Sequence, residues 1–359
     1  MNAISQLTDS PMPAMLPSLP PSAAGSAPAH SDLSLETLAR YADHPSAYLA
    51  MNREMCHYTG ENVDGFIAYR PFGNVLFQLG GVFAPRADQA RLLEQFRGFA
   101  RQMGKRICAV QLRPDDLALY QQAGFCINQL GASYTLDLAG FRTSGTRFMK
   151  MRNKIARARK SGITVFELGA DAPRAKEAWE TLHAITGAWL RTKGRSAKLL
   201  EFLVGELGSP EDSGRRVFVA HHQGKAVAFI SYVPAYGRYA GLMHDISRRV
   251  PDAPPGVMEL INITAIERFK SEGVKCLNFG LTPFAGLSDE ADCAPTRNRA
   301  VSWLVRMLAR YGAAIYPAES QVQYKLKWQP ETIVPEYVAF EERFRWSMAW
   351  RLLSLTRAI

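Results

Sequence analysis

Hydrophobic and polar positions alternate most informatively over residues 239–286. An apolar run that reads as a strand ends in His244 and Asp245, and Arg248 follows three residues on. A proline-rich turn closes on Gly256. Met258, Ile261, Ala265 and Phe269 then recur at helical spacing as far as Gly273. A short strand over 276–281 breaks at Pro283. Strand, charged turn, amphipathic helix, strand is half of an acyltransferase-type α/β layer, and it puts Asp245 and Arg248 at the strand end, where ligands sit. The two side chains could equally bridge one another and close the turn.

The same alternation extends upstream. Strands are predicted at 66–69 and 74–79, a helix at 87–103 with Leu92, Leu93, Phe96 and Ala100 on one face, a strand at 106–112, a helix at 117–123 and a strand at 134–138. A second cycle starts near Val165, with a helix over 174–190 and a hairpin over 217–234 that turns at Gln223-Gly224-Lys225. Two consecutive units of similar order predict an α/β (α+β) fold: a duplicated acyltransferase domain with mixed central sheets flanked by helices. The pattern divides the chain into a tail over 1–34, a first unit over 35–145, a connecting helix over 146–162, a second unit over 163–340 and a terminal helix over 341–359. The tail is rich in Pro, Ser and Ala and buries too little apolar surface to offset its ordering entropy, so it is expected to be disordered.

Charge adds a partner class. The 359 residues hold 43 Lys and Arg against 33 Asp and Glu, a formal +10, which suits RNA or an anionic membrane surface without choosing between them. The charge clusters between Arg147 and Lys160, where RFMKMRNKIARARK carries Arg147, Lys150, Arg152, Lys154, Arg157, Arg159 and Lys160 and no acid. On a helix, Met151, Ile155 and Ala158 make a narrow apolar seam. A solvated connecting helix is one reading. A surface for the phosphates of an RNA acceptor stem is preferred, because no acid compensates the charge.

Five cysteines with no C-x-x-C pair point to reduced thiols rather than a disulfide framework or a zinc site. No apolar run reaches the roughly 18–20 residues of a spanning helix, and no Lys or Arg precedes Arg40 to form a leader. The expectation is a cytoplasmic protein with at most peripheral contact with the inner face of the membrane, and with no metal and no cofactor. The terminal helix carries Phe344, Met348, Leu352 and Leu355 on one side, flanked by Trp346, Trp350 and several arginines. It fits either a lipid interface or packing on its own domain.

Three separated blocks stand in one order. They are D-x-x-R (Asp245, Arg248), P-x-G-x-M-E (Pro254, Gly256, Met258, Glu259) and N-x-G-x-x-P-x-x-G (Asn278, Gly280, Pro283, Gly286). Together they resemble the catalytic domain of the aminoacyl-phosphatidylglycerol synthases, lysyl and alanyl transferases that move an amino acid from its tRNA to a lipid head group. Trp189-Leu190 and the K-x-K-W stretch of Lys325, Lys327 and Trp328 match further family segments. The family resemblance implies a tandem N-acetyltransferase-like (dual GNAT, FemXAB-like) fold. The SAKLLEFLVGELG stretch (196–208) departs from the family's compact E-K-x-F-S-L-G motif in a loop expected to face substrate.

What the resemblance implies for chemistry is cofactor-free, because the tRNA ester is already activated. Asp245 would anchor the ammonium of the amino acid or accept a proton, Arg248 would grip a phosphate, and Lys327 would meet the oxyanion. His244, Gly256, Met258, Glu259, Asn278 and Lys325 would line the substrate site, with Lys325 and Lys327 projecting side by side from a strand. The expected partners are aminoacyl-tRNA and an anionic phospholipid. Three alternatives remain: the same chemistry on a soluble amine or hydroxyl, an acyl-CoA-dependent N-acyltransferase, and an RNA- or membrane-binding protein without chemistry.

Overall fold

The computed structural model describes residues 32–192, 201–292, 294–312, 318–342 and 344–357. Most of the expected disordered tail, residues 196–200 of the divergent loop, Cys293 and the last two residues of the terminal helix lie outside them. The strands are β1 (Cys56–Tyr58), β2 (Ile67–Phe72), β3 (Val75–Leu79), β4 (Arg106–Leu112), β5 (Phe125–Asp137), β6 (Thr164–Leu168), β7 (Arg216–His222), β8 (Lys225–Ala235), β9 (Gly241–Arg249), β10 (Cys276–Pro283) and β11 (Thr332–Glu341). The helices are α1 (Asp32–Tyr41), α2 (Arg86–Gln102), α3 (Leu117–Gln122), α4 (Met149–Lys160), α5 (Lys176–Arg191), α6 (Val257–Ser271), α7 (Arg299–Tyr311), α8 (Ala318–Leu326) and α9 (Trp346–Leu355).

The repeated order seen in the sequence becomes two similar halves. In the first, β2 and β3 form an antiparallel hairpin and α2 crosses over to β4, parallel to β3. In the second, β7, β8 and β9 are antiparallel and α6 crosses over to β10, parallel to β9. This is the expected tandem N-acetyltransferase-like arrangement. The halves join edge to edge, because β5 pairs antiparallel with β10 while β11 returns to lie between β4 and β5. One sheet results, in the order β1-β2-β3-β4-β11-β5-β10-β9-β8-β7-β6.

Helices cover both faces. α6 lays Leu260, Ile261, Ala265 and Phe269 on one face of the second half, and α4 buries the predicted seam of Met151, Ile155 and Ala158 against it. Gly256 makes that contact close. It sits at φ +88, and a Cβ there would stand 2.5 Å from the Lys154 carbonyl oxygen. α5 covers the opposite face with Trp179, Leu182 and Ile185. On that side of the first half, α1, α7 and α9 share one apolar cluster. No described helix is long and apolar enough to cross a membrane.

Several expected elements are corrected. Lys325 lies in the last turn of helix α8 and Lys327 follows the helix, so the two ammonium groups do not project from one strand face. The terminal helix starts at Trp346 rather than 341, because Glu341 belongs to β11. β9 runs four residues past Asp245, which puts Asp245 and Arg248 inside a strand rather than beyond its end. β1, β11, α7 and the first nine residues of β5 carried no pattern that predicted them.

Candidate functional site

Two residues three apart on a regular strand face opposite sides of a sheet. In β9 they do not. Tyr232 pairs with His244 and Ile230 with Ser247, so Asp245 and Ile246 together stand opposite Ser231 in a bulge. The bulge shifts the alternation by one. His244 faces α6, while Asp245, Ile246 and Arg248 all face α5, the last paired with Phe229 on that side.

A cavity of about 540 Å³ opens there, walled by residues 52–55, α5, the loop over 201–208 and β9. Arg248 lies in its wall, its guanidinium carbon 4.0 Å from the centre of the Trp189 ring. Burial lowers its pKa to about 10, with Asp245 pulling the other way, so it stays charged at neutral pH. Its Nη1 donates to the Ser247 carbonyl, its Nε is buried without a partner, and among the described residues no carboxylate reaches ion-pair contact with it. Leu190 lines the same cavity, so both members of the Trp189-Leu190 pair are at the site.

The other charges in the wall are mostly paired. Arg70 bridges Glu54 and Glu201, and Arg357 reaches Glu201 at 2.8 Å. Among the described residues Glu206 accepts only from the backbone N–H of Arg53, at 3.2 Å. The divergent loop thus contributes Glu201, Phe202 and Glu206 to the wall.

Asp245 does not reach the cavity as a free carboxylate. Its side chain is 2% exposed and bonds the guanidinium of Arg215, which is 3% exposed and also holds Asp212 at 3.1 Å. Burial pushes the Asp245 carboxyl up and Arg215 draws it back; burial also works against the Arg215 charge, which Asp245 and Asp212 outweigh. Gly205 lies directly on the carboxylate, where any Cβ would collide with it. The bridge that the sequence offered between Asp245 and Arg248 is therefore replaced by Asp245–Arg215. Nothing in the sequence singled out Arg215, which lies just ahead of β7.

The remaining predicted residues fall into two groups on the α6 side. In one, Gly280 kinks β10 at φ +61, and Lys325 donates to the freed carbonyls of Gly280 (2.8 Å) and Leu281 (3.2 Å). Burial lowers the Lys325 pKa to about 7. Asn278 accepts from Thr135 and donates to the Tyr239 and Leu242 carbonyls, so it ties strands together rather than facing a ligand. His244 packs among Tyr232, Phe279 and Tyr324, where burial, then Lys325, lowers its pKa to about 3. In the other group, Glu259 meets Lys327 at 3.3 Å and Lys154 at 3.5 Å, and Met258 packs against the α6-side core. Lys327 does not line the Arg248 cavity among the described residues, so Asp245, Arg248 and Lys327, expected to act on one substrate, do not share that pocket.

Along α4, Arg159 pairs with Glu267, Arg152 donates to the Thr143 and Gly145 carbonyls, and Arg147 lies over Phe148. Lys150 and Arg157 are exposed and make no ion pair among the described residues.

Comparison with known proteins agrees with this architecture. The family model for the C-terminal region of phosphatidylglycerol lysyltransferase matches residues 35–340. A phosphatidylglycerol lysyltransferase of Staphylococcus epidermidis is 25% identical over 335 residues, covering 92% of this chain and 38% of the relative. The Bacillus subtilis phosphatidylglycerol lysyltransferase is 26% identical over 231 residues, covering 64% of this chain and 26% of the relative. The chain thus spans well under half the length of these curated relatives. The structure of L-PGS from Bacillus licheniformis superposes with a TM-score of 0.75 at 20% identity, covering 94% of this chain and 98% of that one. With its three motif blocks on β9, α6 and β10 and the match spanning both halves of the sheet, the chain belongs to the phosphatidylglycerol lysyltransferase C-terminal family.

Proposed function

We propose that this chain transfers an aminoacyl group from a tRNA ester to the head group of phosphatidylglycerol or another polar lipid. One observation carries this reading: within a family match spanning 35–340, the D-x-x-R arginine sits charged in a cavity wall with no carboxylate bound to it among the described residues. Such a guanidinium suits a phosphate, which it can grip with two parallel hydrogen bonds.

In the reaction a head-group hydroxyl attacks the ester carbonyl. The bond to the tRNA ribose oxygen breaks, and the hydroxyl proton ends on that oxygen. Arg248 would hold the lipid phosphate and so place the hydroxyl, the largest saving available when the donor is already activated. The ammonium of the amino acid would meet Glu206, since Asp245 is engaged with Arg215. Asp245 then acts as a positioning residue, fixing Arg215 and the Gly205 backbone under the cavity floor.

The donor would dock along the exposed side of α4, with Lys150 and Arg157 against its phosphates. α4 lies on the α6 side and the cavity on the α5 side, so the acceptor end would cross where β9 and β10 diverge beyond Met243 and Asn278.

The test supplies radiolabelled aminoacyl-tRNAs together with phosphatidylglycerol, other polar lipids and soluble amines. Label in the lipid fraction, abolished by prior RNase treatment, is the expected result. Label that moves only to a soluble acceptor rejects the lipid assignment, and activity that survives RNase rejects tRNA as donor.

A further inference from the structure

The most exposed aromatic side chains among the described residues have no part in the site described above. Trp303 (57% exposed) and Tyr311 (64%) lie on α7, and Trp346 (58%) and Trp350 (65%) lie on α9, with Met307 beside the first pair. Both helices pack on the same apolar cluster, α7 through Val301 and Val305 and α9 through Met348 and Leu355. At helical spacing, Trp303 projects opposite Val301, and Trp346 and Trp350 project opposite Met348. Two helices resting on one sheet face through those residues turn their tryptophans outward on the same side.

The charge on these two helices has one sign. Neither Arg299–Tyr311 nor Trp346–Leu355 contains an acid. Arg299, Arg310 and Arg345 are exposed and, among the described residues, meet no carboxylate. Arg306 pairs with Asp289. Exposed indoles interleaved with guanidinium groups that lack a carboxylate fit the boundary between head groups and acyl chains of an anionic bilayer, where the ring buries and the cation meets phosphate.

A second observation links this surface to the site. Arg357, two residues past α9, lines the Arg248 cavity, and the carbonyl of Thr356 accepts from the Glu201 backbone N–H in the cavity wall. The cavity and the tryptophans therefore lie on one side of the sheet and are joined by a single short helix. Phe202 from the wall packs in the same apolar cluster as α7 and α9.

We propose that the outward faces of α7 and α9 form a docking surface for an anionic lipid bilayer, which brings head groups to the mouth of the Arg248 cavity. The inference deepens the proposed lipid acceptor and rests on that reading for its purpose, but its binding readout stands apart from activity.

The experiment measures co-sedimentation of the full chain with two kinds of vesicle: phosphatidylcholine alone, and phosphatidylcholine with roughly a quarter phosphatidylglycerol. Three forms are compared: the unaltered chain, the triple variant W303A/W346A/W350A, and the charge reversal R299E/R310E. All substituted residues are exposed, and thermal unfolding verifies that each variant folds. The expected result is salt-sensitive binding to the anionic vesicles, weakened about tenfold or more by either variant. Transfer to a water-soluble short-chain phosphatidylglycerol should be unaffected by either. The proposal is overturned if the chain ignores anionic vesicles or if both variants bind as the unaltered chain does. It is also overturned if sedimentation equilibrium shows a dimer that the tryptophan substitutions dissolve, since a second copy would then cover the surface. Vesicle binding without transfer to any acceptor would leave the surface standing and reject the activity instead.

Discussion

Replacing Asp245 by Asn separates two roles that the motif alone merges. In the structure the Asp245 carboxylate is the closer partner of Arg215, a guanidinium 3% exposed whose other carboxylate is Asp212. A charge pair at about 3 Å with an effective dielectric of about 20 is worth roughly 5 kcal/mol. The amide saves the cost of burying a carboxylate, and Asp212 still compensates part of the arginine. The net loss then falls to about 3 kcal/mol, the low end of what removing one partner of a buried pair costs. For the roughly 310 described residues that corresponds to a fall in Tm of about 5 °C. Urea unfolding followed by circular dichroism at pH 7 measures it, alongside transfer kinetics. Unfolding unchanged to within about 0.5 kcal/mol would refute the claim that Asp245 holds a buried charge in place. If transfer nevertheless vanished, Asp245 would be touching the substrate directly, as the motif suggests on its own.

Three other substitutions probe the remaining parts. Arg248→Ala should cut transfer by about a hundredfold or more while costing only about 1 kcal/mol of stability, the worth of its stacking on Trp189. Arg248→Lys should recover only part of that rate, because the ammonium lacks the fork. His244 has a folded pKa of about 3, below its unfolded value, so the unfolded chain takes up the proton first on acidification. Stability should therefore be flat above about pH 6.5 and fall by roughly 2–3 kcal/mol by about pH 4.5, and His244→Phe should remove that fall in a pH series of urea midpoints. On α4, Lys150→Glu with Arg157→Glu should weaken tRNA binding for every amino acid alike. The same pair should lower the slope of log affinity against log salt by about one for each phosphate left without its cation, as read by filter binding at several salt concentrations.

Residue pattern by itself determined the secondary elements from α5 to β10, the tandem order and the apolar seam of α4. These features rest on local periodicity, which survives without knowledge of neighbours. Through resemblance to a family it also marked Arg248 as a phosphate contact and matched Trp189-Leu190 to a family segment, without bringing the three together. It did not reveal α7 or β11, and it read the Lys325–Lys327 stretch as a strand. There the deciding contacts come from distant chain: the carbonyls freed at Gly280 and Leu281 capture Lys325 from α8. Only the tertiary structure decided on which side of the sheet Asp245 and Arg248 stand. Three-residue spacing in a regular strand would have split them, and the bulge opposite Ser231 puts both on the α5 face. The identity of the partner of Asp245 was equally hidden. A carboxylate and a guanidinium three residues apart suggest each other, but burial beside Arg215, thirty residues upstream, leaves Arg248 with no carboxylate in ion-pair contact among the described residues.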